Sequence, residues 1–346
     1  YFYPSVGVSA VISDLIPSFP DVISFAKLRA SWAQVGNAAA PFQTVRTANF
    51  SAGGNNGFLE LSSTLPATDL KPEQTESYEV GADVRFFQRR AAFNVTAYQT
   101  NTRNQLFQAA LPVGSGASSF FTNGGDVQNK GLEVTVTGRP VRTNDFTANF
   151  DLNWSANRSE VVRLTSDQPQ LVLPQGFLHQ YRIIAGEPFG QLYSRGFERD
   201  NQGRVIVNEN GMPRITPGLS VMIADPNADW RGSFRAALSY KNINLSFLID
   251  HRQGGETVSF TNAIIDADGL RTRTLQGRDG GLVFGDNFFP EETAVSPDGA
   301  PNTAATDAET FWRNVGGRNA PMGEAFVESA TNTRLRELTV GYTLPQ

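Results

Sequence analysis

Long stretches of the chain alternate strictly between apolar and polar residues. From Tyr78 to Phe86 one parity holds Tyr78, Val80, Ala82, Val84 and Phe86, and the other holds Glu79, Gly81, Asp83 and Arg85. Phe146, Ala148, Phe150, Leu152 and Trp154 alternate with Thr147, Asn149, Asp151 and Asn153. Phe234, Ala236, Leu238 and Tyr240 repeat the pattern, followed by Ile243, Leu245, Phe247 and Ile249. Shorter cases are Leu28, Ala30, Trp32; Phe93, Val95, Ala97; Leu132, Val134, Val136; and Leu338, Val340, Tyr342. Successive side chains of a strand point to opposite faces, so a period of two marks a strand with one dry and one wet face. The pattern predicts antiparallel strands near 27–36, 76–87, 91–107, 129–138, 146–157, 231–240, 243–252 and 334–343.

A soluble β-sandwich alternates in the same way, and strand length separates the two readings. Several segments run about ten residues, the span of a tilted transmembrane strand, against the usual five or six. Tyr78, Phe86, Trp154, Tyr240 and Tyr342 sit near strand ends, where an interfacial aromatic girdle requires them. The expectation is therefore an all-β, antiparallel transmembrane β-barrel. Val80, Val84, Phe150, Leu152, Leu238, Leu245 and Phe247 are expected to face lipid, and Asp83, Asp151 and Asn153 the interior.

The connections support that reading. Short ones (Gln88–Arg90, Arg139–Asp145, Lys241–Asn242) alternate with long ones near 37–72, 108–128, 158–229 and 253–333. An up-and-down barrel then carries short turns on one side and long loops on the other, as outer-membrane barrels do. Within the loops, 200–211 reads as a local hairpin and 285–310, rich in Pro, Asp, Ala and Thr, as irregular.

Composition narrows the function. Of 346 residues 40% are hydrophobic and 18% charged, with 32 Gly and 25 Phe. The formal net charge is −5, and no basic stretch tracks a phosphate backbone, so nucleic acid is not an expected partner. There is no cysteine, which removes thiolate metal sites, disulfides and a Cys nucleophile. No apolar run reaches the roughly 18 residues of a transmembrane helix. The mean hydropathy of −0.29 does not argue against a barrel, because alternation keeps the average low. The chain opens at Tyr1 in strand-like sequence and is read as a piece of a longer protein, occupying 1–346 as one barrel portion.

Catalytic chemistry finds little support. His179 and His251 are far apart, with no Ser or carboxylate placed to make either a base, and His251 reads as a solvated loop-base residue. No enzyme activity and no cofactor are expected. Asp266 and Asp268 faintly resemble the start of a calcium loop, but the remaining EF-hand ligands are missing and a structural turn is the simpler reading. Phe288, Phe289, Phe311, Trp312 and Arg313 in the 253–333 loop are the candidate substrate- or partner-contacting residues, since aromatic faces and a guanidinium grip sugars or peptides. The alternative role for them is to anchor a long loop by packing.

Several stretches resemble the SusC/RagA family of TonB-dependent outer-membrane transporters. They are Leu70-Lys-Pro-Glu-Gln-Thr-Glu-Ser-Tyr-Glu-Val-Gly81, Asp83-Val-Arg-Phe-Phe87, Asn129-Lys-Gly-Leu-Glu-Val134 and Phe150-Asp-Leu-Asn-Trp-Ser155. Further matches are Gly186-Glu-Pro-Phe-Gly190, Asp225-Pro-Asn-Ala-Asp-Trp230, Arg334-Leu-Arg-Glu-Leu-Thr-Val-Gly-Tyr-Thr-Leu-Pro345, and Lys27-Leu-Arg-Ala-Ser-Trp32 with Gly36-Asn37. They occur in the family's order. The resemblance implies the C-terminal half of the barrel, without the plug, the first strands or the last few. It implies import of oligosaccharides or oligopeptides across the outer membrane of a Gram-negative bacterium. It also implies a SusD-like surface lipoprotein as partner, and TonB acting through the N-terminal plug. A passive porin or adhesin-type barrel and a soluble glycan-binding β-sandwich are the rival readings.

Overall fold

The computed structural model describes residues 2–53, 56–164, 169–318 and 321–344. Nine strands form one sheet: β1 Ser5–Val11, β2 Ile23–Asn37, β3 Glu73–Phe86, β4 Ala91–Ala110, β5 Ser119–Arg142, β6 Phe146–Leu164, β7 Trp230–Tyr240, β8 Ile243–Gln253 and β9 Asn332–Tyr342. Each strand pairs antiparallel with the next in sequence, so the sheet is an up-and-down meander with β1 and β9 at its edges. It is an open, partial barrel wall. All eight segments expected from alternation are strands, and β1 is an additional one. Among the described residues the two stacked sheets of a sandwich are not formed.

Register fixes the two faces, because residues paired across a ladder point the same way. One face carries the rows Phe150–Ala236–Phe247–Leu338, Ala148–Leu238–Leu245–Val340 and Phe146–Tyr240–Ile243–Tyr342. Further along it runs Ala30–Val80–Ala97–Leu132–Ala156. Among the described residues nothing covers this apolar face. Val80 is 58% exposed, Leu338 61% and Val340 73%. A water-soluble protein does not leave a continuous apolar belt of this extent bare, whereas lipid tails solvate it. Trp32, Tyr78, Lys130 and Arg158 lie near the belt's long-loop end, and Phe146, Tyr240 and Tyr342 at its short-turn end.

The opposite face is polar. It includes the row Lys27–Asp83–Asn94–Thr135–Asn153–Ser233–Asp250–Arg334. Asp83, Asp151 and Asn153 lie on it as expected, and Val80, Val84, Phe150, Leu152, Leu238, Leu245 and Phe247 lie on the apolar face. Two glycines make room for long side chains here. A Cβ on Gly81 would sit 2.8 Å from the Arg29 guanidinium, and one on Gly131 would sit 2.3 Å from the Tyr98 phenol.

The short turns at 87–90, 143–145 and 241–242 share one side of the sheet, and the long connections share the other. On the long side the strands outrun the bilayer: β4 has 20 residues and β5 has 24, about twice what a span needs. The loop expected over 108–128 therefore contracts to 111–118, because Ser119–Gln128 and Gln108–Ala110 stay in the ladder. Thr64–Leu65 adds a short parallel pair to the start of β5, and Ala48–Ser51 pairs with Phe58–Leu61 within the 38–72 connection.

Candidate functional site

The described residues of the two longest connections, 169–229 with 254–318 and 321–331, fold onto each other as one unit beyond the long-loop ends of the strands. Within it a four-stranded antiparallel sheet (Gln170–Val172, Gln180–Ile184, Gln191–Ser194, Val221–Ala224) packs on the strand extensions. Val127, Val161, Phe107, Leu171 and Ile183 are buried together there. Val127 and Val161 have the inward parity of their strands, yet loop residues cover them, so they are apolar where the wall nearer the turns is polar.

Two helices organise the rest. α1 spans Phe260–Ala267, and the Ser259 side chain accepts the Asn262 N–H at its start. α2 spans Ala308–Val315, capped by the Asp307 carboxylate, which accepts the Thr310 N–H at 2.8 Å. That hydrogen bond holds the Asp307 carboxyl below the usual range. The buried residues of α2 are Ala308, Phe311, Trp312 and Val315, the i, i+3, i+4, i+7 stripe of an amphipathic helix.

Phe311 is 0% exposed, Trp312 2% and Phe288 6%. With Phe197, Phe284 and the half-buried Phe289 they form an aromatic cluster whose ring centroids lie 4.7–6.3 Å apart in the close pairs. The substrate- or partner-contacting expectation for Phe288, Phe311 and Trp312 therefore gives way to the packing role. Their rings are the core of the loop unit, and only an edge of Trp312 reaches a surface recess, beside Asp307 and Arg313. Arg313 projects from the other side of α2 and pairs with Glu309 at 3.0 Å, both side chains largely exposed. Aromatics that do reach the surface of the unit include Tyr181 and the pair Phe177 and Phe260, whose ring centroids lie 4.2 Å apart. Sequence reasoning did not single them out, since none sits beside a second aromatic in the chain.

Ion pairs tie the unit together. Arg199 grips Glu292 through both terminal nitrogens (2.6 and 2.8 Å) and reaches Glu324 at 2.8 Å, whose other oxygen accepts the Phe197 N–H at 2.6 Å. The bond to Glu292 raises the Arg199 pKa above its already high ordinary value. Asp266, fully buried, accepts from Arg271 at 3.2 Å and from Arg273, whose guanidinium also lies 4.6 Å from the Trp312 ring. The Asp266 Oδ2 oxygen thus serves both arginines, which favours the structural-turn reading of Asp266 and Asp268 over the faint calcium-loop one, and Asp268 caps α1 at its C-terminus. Among the described residues no group of three or more candidate ligands is placed to hold a metal. The 200–211 segment also differs from a single hairpin. Val205–Val207 is the middle arm between two tight turns, bridging Arg199 and Pro213, and it pairs in parallel with Ala294–Val295.

The histidines lie far apart. His251 is in β8, two residues before its long-loop end, hydrogen-bonded to Thr333 at 2.8 Å and packed on Trp230 at 4.8 Å. His179 packs edge-on against Tyr181 in the loop sheet, and burial lowers its pKa.

On the lumen face, β5 to β9 enclose a polar trough of about 840 Å³. It is lined by Glu133, Asn153, Arg231, Asp250, Arg252, Arg334 and Arg336 among others. Residues 329–332, at the junction of the loop unit and β9, close its upper end.

Comparison with known proteins accords with this geometry. Residues 1–242 match the family model described as TonB dependent receptor-like, beta-barrel. TonB-dependent receptor P3 of Formosa agariphila is 27% identical, over 92% of this chain and 32% of that protein. TonB-dependent receptor SusC of Bacteroides thetaiotaomicron is 23% identical, over 80% of this chain and 26% of its own length. The solved RagAB peptide transporter superposes with a TM-score of 0.69 over 99% of this chain and 37% of that one, at 18% identity. The chain thus spans about a third of the length of such relatives. A two-faced meander with short turns on one side, matched over its first 242 residues by the family's barrel model, places this chain in the TonB-dependent receptor family as a SusC-like portion of the β-barrel.

Proposed function

We propose that the protein containing this chain imports oligosaccharides or oligopeptides across the outer membrane. In this reading TonB supplies the energy through an N-terminal plug, and a SusD-like lipoprotein covers the loop unit. The observation that carries it is the division of one sheet into a bare apolar face and a polar face beneath a folded loop unit. The first requires lipid, the second lines a wet path, and the third offers a rigid surface to a lid. The loop unit meets the lid through its exposed residues, Arg313 and the Phe177–Phe260 pair. Phe288, Phe289, Phe311 and Trp312 support that surface from below. The relatives' names, TonB-dependent receptors and a peptide transporter, support the energy source and the cargo size.

Uptake of labelled oligosaccharide and oligopeptide by cells carrying the full-length transporter tests the reading. Loss of uptake on deleting TonB is expected, together with co-purification of a surface lipoprotein. Uptake that continues without TonB would establish a passive pore instead.

A further inference from the structure

The chain as a whole is acidic, with a net charge of −5. Its lumen face is not uniformly so. On β2 and β3 the inward cations and carboxylates pair: Lys27 lies 3.3 Å from Asp83, and Arg29 lies 3.7 Å from the same group. On β7 to β9 the inward positions instead hold Arg231, Arg235, Arg252, Arg334 and Arg336 against Asp250 and Glu337. Four of these arginines line the trough, where the carboxylates are Glu133 and Asp250.

The partners of the four differ. Arg336 is committed to Asp250. Arg252 donates to the backbone carbonyls of Gly254 and Pro226. Arg231 and Arg334 have neither an ion pair nor a side-chain hydrogen bond among the described residues, and both are exposed to the trough. They stand on β7 and β9, two strands apart and two residues out of row, so about 12 Å separates their backbones. Glu133 is two strands from Arg231 in the other direction and pairs with neither. A guanidinium presents a planar fork that fits a carboxylate or a sulfate through two parallel hydrogen bonds. A recess walled by apolar barrel also focuses such charge onto a passing ligand.

We infer that this trough selects cargo bearing anionic groups, uronate or sulfate on a glycan or carboxylates on an acidic peptide, with Arg231 and Arg334 as the specificity-determining residues. The inference rests on the importer reading and names the cargo class of that same path. The competing occupant of the two arginines is the plug of the full protein, and the test separates the two.

Binding is measured on the detergent-purified full-length transporter, which needs no TonB. The probes are an oligogalacturonide, a sulfated oligosaccharide, a neutral glucan oligosaccharide, and acidic and neutral peptides, matched in length. One anionic probe is expected to bind at least about tenfold tighter than its neutral match, the effect of one or two charge-assisted hydrogen bonds. The preference should shrink as salt rises. Arg231→Gln/Arg334→Gln should remove it while leaving neutral binding, folding and protease resistance of the plug unchanged, and the pair of probes affected tells glycan from peptide. No anionic preference overturns the inference. So does a preference that survives in the double variant. Release of the plug with equal loss for charged and neutral probes also overturns it and makes the arginines plug anchors. Uptake without TonB would sink the importer reading while leaving the binding preference measurable.

Discussion

The wall and the loop unit use apolar residues in opposite ways. On the wall the largest apolar side chains stand on the surface, with Val340 73% exposed, and polar groups line the interior. In the loop unit Phe284, Phe311 and Phe326 are fully buried, and Asp266 is the one carboxylate buried with them among the described residues. The same chain is folded for two solvents, and the boundary is visible within single strands. Along β5, Leu132 and Val134 face outward to lipid, while Val127, only a few residues nearer the loops, is buried facing inward beneath them. The lesson is that apolarity alone does not locate the core. Its position relative to the aromatic rows at the strand ends does.

Substitutions sharpen this comparison. The largest effect is expected at Trp312→Ala or Phe311→Ala, which removes a buried ring from the loop core at a cost of about 3–5 kcal/mol. Limited proteolysis should then cut within 254–331 while the barrel keeps its heat-modifiable mobility on a gel. Loss of barrel folding as well would mean that the two regions are one cooperative unit. Asp266→Asn leaves the Arg271 and Arg273 guanidiniums facing a neutral amide, and should cost about 3 kcal/mol in the same region.

Leu338→Arg, near the middle of β9 on the lipid face, should cost about 2–4 kcal/mol in denaturant unfolding from a bilayer. Thr339→Arg, one residue on and facing the lumen, should cost far less. Equal costs at the two positions would contradict the assignment of faces.

Acid should loosen the loop unit and leave the wall intact. Burial lowers the folded pKa of His179 below its ordinary value near 6.5, so the unfolded chain binds the proton first. The stabilisation is complete above that ordinary value and is lost progressively as the pH falls from it toward the lower folded value. Hydrogen exchange in 170–194 followed from pH 7.5 to 5 should show it, and His179→Gln should flatten the dependence. The smallest effect belongs to the exposed Glu309–Arg313 pair. Breaking it should change stability by under about 0.5 kcal/mol, so a marked loss of lipoprotein binding in Arg313→Ala would reflect contact and not folding.

The wall was legible because its rule is local. A period of two needs no knowledge of neighbours, and Tyr78–Phe86 or Phe146–Trp154 states both the strand and its faces. The strand ends were less legible. Ser119–Gln128 lies outside the membrane and follows no lipid-facing pattern, so it read as loop. In the loop unit the signal was present but overlooked at α2, where Asp307 and the Ala308, Phe311, Trp312, Val315 spacing announce a capped amphipathic helix. Burial of Phe288 and the parallel pairing of Val205–Ile206 with Ala294–Val295 depend on contacts between segments about 90 residues apart. No local pattern encodes such contacts. The arginine trough was hidden for the same reason, since Arg231 and Arg334 become neighbours only through β8.

The central claim is that one sheet face meets lipid and the other the lumen. Spin labels at single cysteines along β7 test it most directly, introduced one at a time into a cysteine-free full-length transporter in lipid bilayers; this chain itself contributes no native cysteine. Collision with lipid-soluble oxygen should be high at Phe234, Ala236 and Leu238 and low at Ser233, Arg235 and Ala237, a period of two along the strand. Oxygen accessibility without that period, or with a water-soluble nickel complex reaching Phe234 and Leu238 as readily as the lumen positions, would contradict the account.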